Sequence, residues 1–245
     1  MSAALRLGVV VVVVWLLARS ARAAWLNRRL AVSVWRRVRP RHVLGSLGLI
    51  VAVTTTAVGL MAALPVTRFG LGSLIGLSGN AVFAPVQEAA LRGSAFGEAG
   101  PAGRVDWLFL AMVTGFLGAL LTLFPWLAYI EERTFREGLE DATLGQEAWA
   151  ALRFGLAHLV MLIPLAAALA VGVAGFVYGR LYRAAYRRAA RRRQTLPGPF
   201  GLPLVVAPAP VQARAEAVMT STVWHTTFNS LIVVIVLAGF VVEAL

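Results

Sequence analysis

Long apolar runs, separated by arginine-rich stretches, constrain the fold of this chain more than any other feature. Most of these runs reach the length of about 20 residues that a helix needs to cross the hydrocarbon core of a bilayer. The composition agrees, since 59% of residues are hydrophobic, more than a soluble domain of this size requires. The sequence therefore predicts an all-α integral membrane protein. The runs lie at 8–18, 43–64, 107–130, 149–178 and 218–242.

The positive charge of the chain lies between the apolar runs. The formal net charge is +12, and every basic residue is an arginine. Arginines that flank membrane spans are typical of cytoplasmic loops rather than of nucleic-acid grooves. We therefore expect the clusters at 19–41 and 180–193 on the cytoplasmic side, with the lipid bilayer and not nucleic acid as partner. The chain has no cysteine, which excludes disulfides, thiol nucleophiles and cysteine-ligated zinc.

The region 149–181 is too long for one span and contains Pro164. If both arginine clusters are cytoplasmic, this region has to enter the membrane and return. We predict two short helices that turn near Pro164, or a re-entrant hairpin. The whole chain then forms a polytopic bundle of about six transmembrane helices, with a polar cavity open to the cytoplasm and a cytoplasmic linker at 195–214.

The chain divides into two regions at residue 106. Region 1–106 holds the short run 8–18, one full span and an external loop at 66–106. The short run is predicted to be a signal-anchor span, although the "ARA" at 21–23 also resembles a signal-peptide cleavage site. Region 107–245 holds the polar residues that the next paragraphs describe.

Ionisable residues inside membrane spans are costly, so they are functional candidates. The chain has three histidines. His42 lies in the basic N-terminal stretch, and we expect it at the surface. His158 and His225 lie within apolar runs. If 149–181 is a hairpin, both lie about nine residues, or roughly 13 Å along a helix, from the same side of the membrane.

Three pairs of polar or aromatic residues have the four-residue spacing that places two side chains on one helical face. Glu132 precedes Arg136 by four residues, the favourable order for an ion pair. Glu131 points about a quarter-turn away, so arginine can hold one acid while the other stays free. The other two pairs are Phe154 with His158 and His225 with Asn229.

Each of these features also has a simpler structural explanation. The two acids, Glu131 and Glu132, can be the solvated end of a span. His158 can be a hydrogen-bonded packing residue. His225 and Asn229 can hydrogen-bond between helices, as such residues do in bilayers. The ordered combination of all three features is less expected by chance than any one of them.

The three features resemble the ordered motifs of the CPBP family, which comprises CAAX prenyl endopeptidases and bacterial relatives linked to bacteriocin processing and immunity. The motifs EExxxR, FxxxH and HxxxN match at 131–136, 154–158 and 225–229. The resemblance covers about residues 107–240, so 107–245 would be a CPBP-like catalytic membrane domain. It implies an intramembrane endopeptidase that hydrolyses a peptide or membrane-protein substrate. The arginine-only, alanine-rich composition suggests a bacterial plasma membrane, with the site facing the cytoplasm.

The resemblance also implies roles for the motif residues. Glu131 and His158 would bind and activate a water, His225 and Asn229 would stabilise the oxyanion, and Glu132 and Arg136 would orient the site. A carboxylate in a poorly solvated chamber can act as a general base, and amide or imidazole N–H groups suit an oxyanion.

Metal dependence stays open. We expect no cofactor, but Glu131, His158 and His225 could also form a zinc site with an open position for water. A non-catalytic immunity or scaffold protein of the same family is the alternative function. A transporter that uses these groups as a proton relay is a third, which the lack of paired repeats disfavours.

Overall fold

The computed structural model of the chain is almost entirely helical. It describes residues 3–74, 107–192, 194–197, 203–206 and 210–244. Most of the external loop predicted at 66–106 lies outside these residues. The helices, in chain order, are α1 (Ala3–Leu26), α2 (Arg28–Arg37), α3 (Pro40–Ala63), α4 (Leu71–Leu74), α5 (Trp107–Arg136), α6 (Leu144–Ala157), α7 (Leu165–Ala190) and α8 (Pro210–Ala244).

The predicted linker at 195–214 is partly structured. A short antiparallel hairpin joins β1 (Gln194–Pro197) to β2 (Pro203–Val206), with Gln194 opposite Val206. Helix α8 then begins at Pro210, earlier than the predicted run at 218, because proline suits the first turn of a helix.

Four helices within the described residues are long and apolar enough to cross a membrane. This finding supports a helical membrane protein, whereas the number of six spans and the orientation of the bundle stay predictions. The four candidate spans are Pro40–Ala63, Val113–Arg136, Leu165–Ala190 and Pro210–Gly239.

Helix α5 runs without a break through Pro125 to the acidic pair at its end. One of its faces buries Val113, Leu117 and Leu120 against Val233 of α8. These α5 residues are spaced by three or four, so they form one stripe along the helix. The stripe packs the N-terminal half of α5 against α8, and Tyr129, two residues before Glu131, packs against the cluster that holds Ala217 and Val218 of α8.

The predicted hairpin near Pro164 is present, but its two arms are unequal. Helix α6 has 14 residues, or about 21 Å, which is shorter than the hydrocarbon core. A 3-10 turn (His158–Met161) follows it, and Leu162 adopts a left-handed φ of 64° before Pro164 starts α7. Helix α7 has 26 residues, so the prediction of two arms of about 16 residues was wrong.

The two arms of this hairpin pack antiparallel and closely. An added Cβ on Gly155 of α6 would lie 2.8 Å from the backbone nitrogen of Gly172 on α7, so the two backbones meet here. At the other end of α6, the buried carboxylate of Glu147 pairs with Arg183 at 2.6 Å and Arg180 at 3.2 Å. These contacts fix the position of the turn that carries His158.

The N-termini of α3 and α8 and the C-terminus of α7 lie together at one end of the bundle, which we call the arginine-rich end. Here Arg37 pairs with Glu216 at 3.1 Å. His42 lies at the same end, but the prediction of a surface residue was wrong. Its side chain is buried and meets the Trp224 ring edge-on at 4.8 Å, because Gly45 has no side chain to displace that indole.

A buried acid outside the candidate spans also stabilises this end. Glu140 accepts hydrogen bonds from the Tyr182 hydroxyl at 2.7 Å and from Arg214 Nε at 2.6 Å. Burial raises the pKa of Glu140, but these hydrogen bonds outweigh it and leave the pKa below its ordinary value of 4.5. The segment between α5 and α6 is thereby tied to α7 and α8.

Candidate functional site

The three sequence motifs converge on one cluster of side chains. Glu131 lies near the end of α5, His158 follows the last residue of α6, and His225 lies on α8. Glu131 Oε2 is 3.6 Å from His225 Nε2 and 4.0 Å from His158 Nε2. His158 and His225 follow Glu131 by 27 and 94 positions in the sequence. Both nevertheless face the same carboxylate oxygen.

The second acid of the pair is buried and has two partners. Glu132 Oε1 lies 3.0 Å from His225 Nδ1, and Glu132 Oε2 lies 3.7 Å from Arg136 Nε. The ion pair has the predicted i,i+4 spacing, and both of its side chains are at most 1% exposed. Arg136 also lies over the Phe154 ring, with its guanidinium carbon 4.5 Å from the ring centre. One acid is therefore held by arginine, while the other faces the two imidazoles.

The contacts of each Nδ1 atom assign the state of each imidazole. His158 Nδ1 lies 2.8 Å from the Phe154 carbonyl oxygen, which can only accept, so Nδ1 carries a proton and donates. His225 Nδ1 likewise donates to the Glu132 carboxylate at 3.0 Å. In the neutral form of either ring, Nε2 then carries a lone pair. Both Nε2 atoms point at Glu131.

The Oε2 atom of Glu131 is buried and has no hydrogen-bond donor within the described part of the chain. Its distances to the imidazoles exceed a direct hydrogen bond, so a group that bridges them would satisfy all three. The Glu131 side chain as a whole is 34% exposed, and that of His158 is 20% exposed. The cluster is therefore partly open to its surroundings.

The charges of the cluster balance when one histidine is protonated. Two carboxylates, Glu131 and Glu132, face one arginine, Arg136, which leaves one negative charge if both imidazoles are neutral. Glu132 accepts from His225 Nδ1, so the buried carboxylate lies against this ring and not against that of His158.

Two further motif residues frame the cluster. Phe154 is buried and contacts both imidazole rings edge-on, His158 at 4.8 Å and His225 at 5.6 Å between ring centres. Asn229 is half-buried and follows His225 by one turn of α8, on the same helical face. Within the described part of the chain, no hydrogen bond joins the Asn229 side chain to Glu131, Glu132 or either histidine.

The chemistry of the cluster also fits a zinc ion. Each Nε2 presents a lone pair while its Nδ1 donates to an oxygen, an arrangement common for zinc-bound histidines. A tetrahedral zinc would bring its ligand atoms about 3.4 Å apart, and the separations here are 3.6 and 4.0 Å. No group of three or more His, Cys, Asp or Glu residues that could hold a metal is found within the described ranges. These separations lie between that value and the roughly 4.5 Å that separates two hydrogen-bond partners of one water.

Sequence reasoning missed Tyr178, which completes the site. Its ring on α7 stacks on His225, with ring centres 4.8 Å apart and planes inclined by 23°. Three residues earlier, an added Cβ on Gly175 would lie only 2.6 Å from a ring carbon of Phe154. Helical spacing alone does not show which face of α7 meets α8, so no pattern in the sequence indicated that Tyr178 would stack on His225.

Comparisons with known proteins add no assignment to this geometry. No family model, curated protein or solved structure matches the chain. The resemblance to the CPBP family therefore stays a prediction from three short motifs, and the function has to be argued from the cluster itself.

Proposed function

We propose that this protein is an intramembrane endopeptidase in which Glu131 activates a water molecule to hydrolyse a peptide bond. The observation that supports the proposal is the Glu131 oxygen that faces two imidazole Nε2 atoms at 3.6 and 4.0 Å without a donor of its own. A carboxylate, two imidazoles and room for a water are the parts that general-base hydrolysis needs.

In the first step, Glu131 takes a proton from the water while the oxygen attacks the peptide carbonyl carbon. The His158 Nε2 lone pair accepts the second hydrogen of this water and so orients it. Because Nδ1 of the same ring is fixed by the Phe154 carbonyl at 2.8 Å, the ring does not have to reorient for attack. Glu131 then returns its proton to the departing amine nitrogen.

The negative charge that develops on the carbonyl oxygen needs donors that are already in place. A protonated His225 donates from Nε2, and its charge is stabilised by Glu132 at Nδ1. The amide of Asn229, one turn further along α8, is the second donor. Arg136 pairs with Glu132, so it acts on His225 by holding that acid in place.

The position of the cluster limits the class of substrate. Glu131 lies near the end of a candidate span, so the scissile bond has to lie near the membrane surface. We propose a peptide or membrane-protein segment close to the interface as substrate. By the positive-inside rule, we propose that the arginine-rich end lies on the cytoplasmic side of a bacterial plasma membrane, with Glu131 near the same side.

Cleavage of a peptide library by the purified protein in detergent tests the proposal, with new termini identified by mass spectrometry. We expect Glu131→Gln to lower turnover by at least about 10²-fold, since general-base catalysis contributes that much. Glu137→Gln is the matched control, because Glu137 is an exposed acid just beyond the same helix, paired with Arg133. If Glu131→Gln and His158→Ala both cleave at the wild-type rate, the assignment is wrong.

A zinc-dependent form of the same hydrolase is the second candidate, which the Nδ1 contacts of both histidines favour. Zinc bound by Glu131, His158 and His225 would supply Lewis acidity. In the metal-free mechanism, dialysis against a chelator leaves turnover unchanged. A stoichiometric zinc content, together with activity that falls on chelation and returns with zinc, would instead establish the metalloenzyme.

A further inference from the structure

A basic cavity lies at the arginine-rich end, on the side of α8 away from the candidate active site. It is bounded by α3, α7 and α8 and has a volume of about 430 Å³, within the range of small-molecule sites. Arg41, Arg188 and Arg192 lie around it. Arg188 lies on the last turn of α7, and Arg192 follows two residues after that helix ends at Ala190; both line the cavity.

The positive charge of this cavity is largely uncompensated. Glu216 is the one acid in its wall, and it pairs with Arg37 at 3.1 Å. Where the structure describes side chains, no carboxylate forms an ion pair with Arg41, Arg188 or Arg192. An adjoining cavity of about 260 Å³ shares Arg41 and adds Arg37 and Arg39. The charge favours an anionic ligand.

The deeper part of the cavity is apolar. Leu181, Ala185 and Trp224 line it. Leu181 precedes Arg188 by seven residues, so it lies about 10 Å from Arg188 towards the N-terminus of α7. This position is deeper inside the candidate span. The two alanines at 185 and 189 leave the space that larger side chains would fill. A ligand that matches both parts has an anionic head and an apolar tail.

We propose that this cavity binds one anionic phospholipid, with its phosphate at Arg41, Arg188 and Arg192 and an acyl chain along Leu181 and Trp224. Basic pockets between membrane helices recognise such headgroups. A water-soluble phosphate ester shares the chemistry of the head but has no tail to occupy the apolar part. The inference is independent of peptide hydrolysis, since none of these residues belongs to the catalytic cluster.

The chain offers a charge-matched control for this proposal. Arg187→Gln/Arg191→Gln removes the same charge from the same end of α7 as Arg188→Gln/Arg192→Gln. Its exposed arginines, however, do not line the cavity. A third variant, Ala189→Leu, fills the cavity without a change in charge.

Native mass spectrometry of the full chain in detergent measures binding of phosphatidylglycerol, of phosphatidylcholine with the same acyl chains, and of glycerol phosphate. We expect one phosphatidylglycerol per chain, bound at least about tenfold more weakly by Arg188→Gln/Arg192→Gln and by Ala189→Leu, and within twofold of wild type by the control. The proposal is overturned if wild type retains no phosphatidylglycerol, or if both lipids bind equally. Equal weakening in both double variants, or glycerol phosphate binding as tightly as the lipid, also overturns it.

Discussion

The buried pair of Glu132 and Arg136 allows a quantitative test, because α5 ends with a second pair of the same spacing that is exposed. Glu132→Gln leaves the guanidinium of Arg136, which is 1% exposed, without its counter-charge. Loss of one partner of a buried ion pair costs about 3–5 kcal/mol. The exposed pair of Arg133 and Glu137 has side chains 53% and 39% exposed, and such pairs contribute about 0.3–0.5 kcal/mol.

For a chain of this size, each kcal/mol moves the unfolding midpoint by about 2–4 °C. We therefore expect Glu132→Gln to lower the apparent Tm in detergent by at least about 6 °C, and Glu137→Gln by about 2 °C or less. Thermal unfolding monitored by tryptophan fluorescence measures both. Glu132→Gln/Arg136→Met removes both buried charges and should recover part of the loss in Tm, but not peptidase activity, since His225 then lacks its anion.

Two results would refute this reasoning. The first is equal Tm loss in the buried and exposed variants, which would mean that Glu132 is solvated. The second is a double variant no more stable than Glu132→Gln alone, because the cost would then not come from an uncompensated arginine.

Three further predictions concern the surroundings of the site. Gly175→Ala should lower the free energy of unfolding by about 1–3 kcal/mol, because the added methyl group clashes with Phe154. A methyl group added at Gly179, on the same helix, meets no atom within 4 Å. Gly179→Ala should therefore leave the Tm unchanged or raise it in the same thermal assay. The pKa of Glu140 is lowered from 4.5, so its stabilising effect is complete above pH 4.5 and is lost as pH falls through the lower, folded-state pKa. The drop in Tm below pH 4.5 should therefore be smaller in Glu140→Gln than in wild type. Equal drops in Tm would contradict this. Tyr178→Phe keeps the ring that stacks on His225 and should retain peptidase activity. Tyr178→Leu removes that ring and should lower kcat and shift the pH profile of kcat. Unchanged pH profiles in both variants would exclude a positioning role for Tyr178.

The sequence was sufficient to predict a helical membrane protein and the i,i+4 pair of Glu132 and Arg136, because both depend on local spacing and composition. It also predicted the hairpin around Pro164. The unequal lengths of α6 and α7 were not predictable from hydropathy, since α7 continues as a helix through arginines that a hydropathy window reads as the end of a span.

Long-range contacts explain what the sequence could not give. His42 was expected at the surface from its basic neighbours, yet Trp224, far along the chain, buries it. The stack of Tyr178 on His225 likewise depends on how α7 and α8 pack, and no local pattern encodes that. The predicted run 107–130 ends just before Glu131, and the approach of His225 on α8 is what brings an imidazole to this acid.

The most direct test of the central claim is a double-mutant cycle on kcat/KM between Glu131 and His158, measured with a peptide that the wild type cleaves. If both side chains hold one water, either change alone removes most of its activation, and Glu131→Gln/His158→Ala should be little worse than the poorer single variant. Losses that multiply in the double variant would show that the two residues act independently, which would contradict a shared water between α5 and the end of α6.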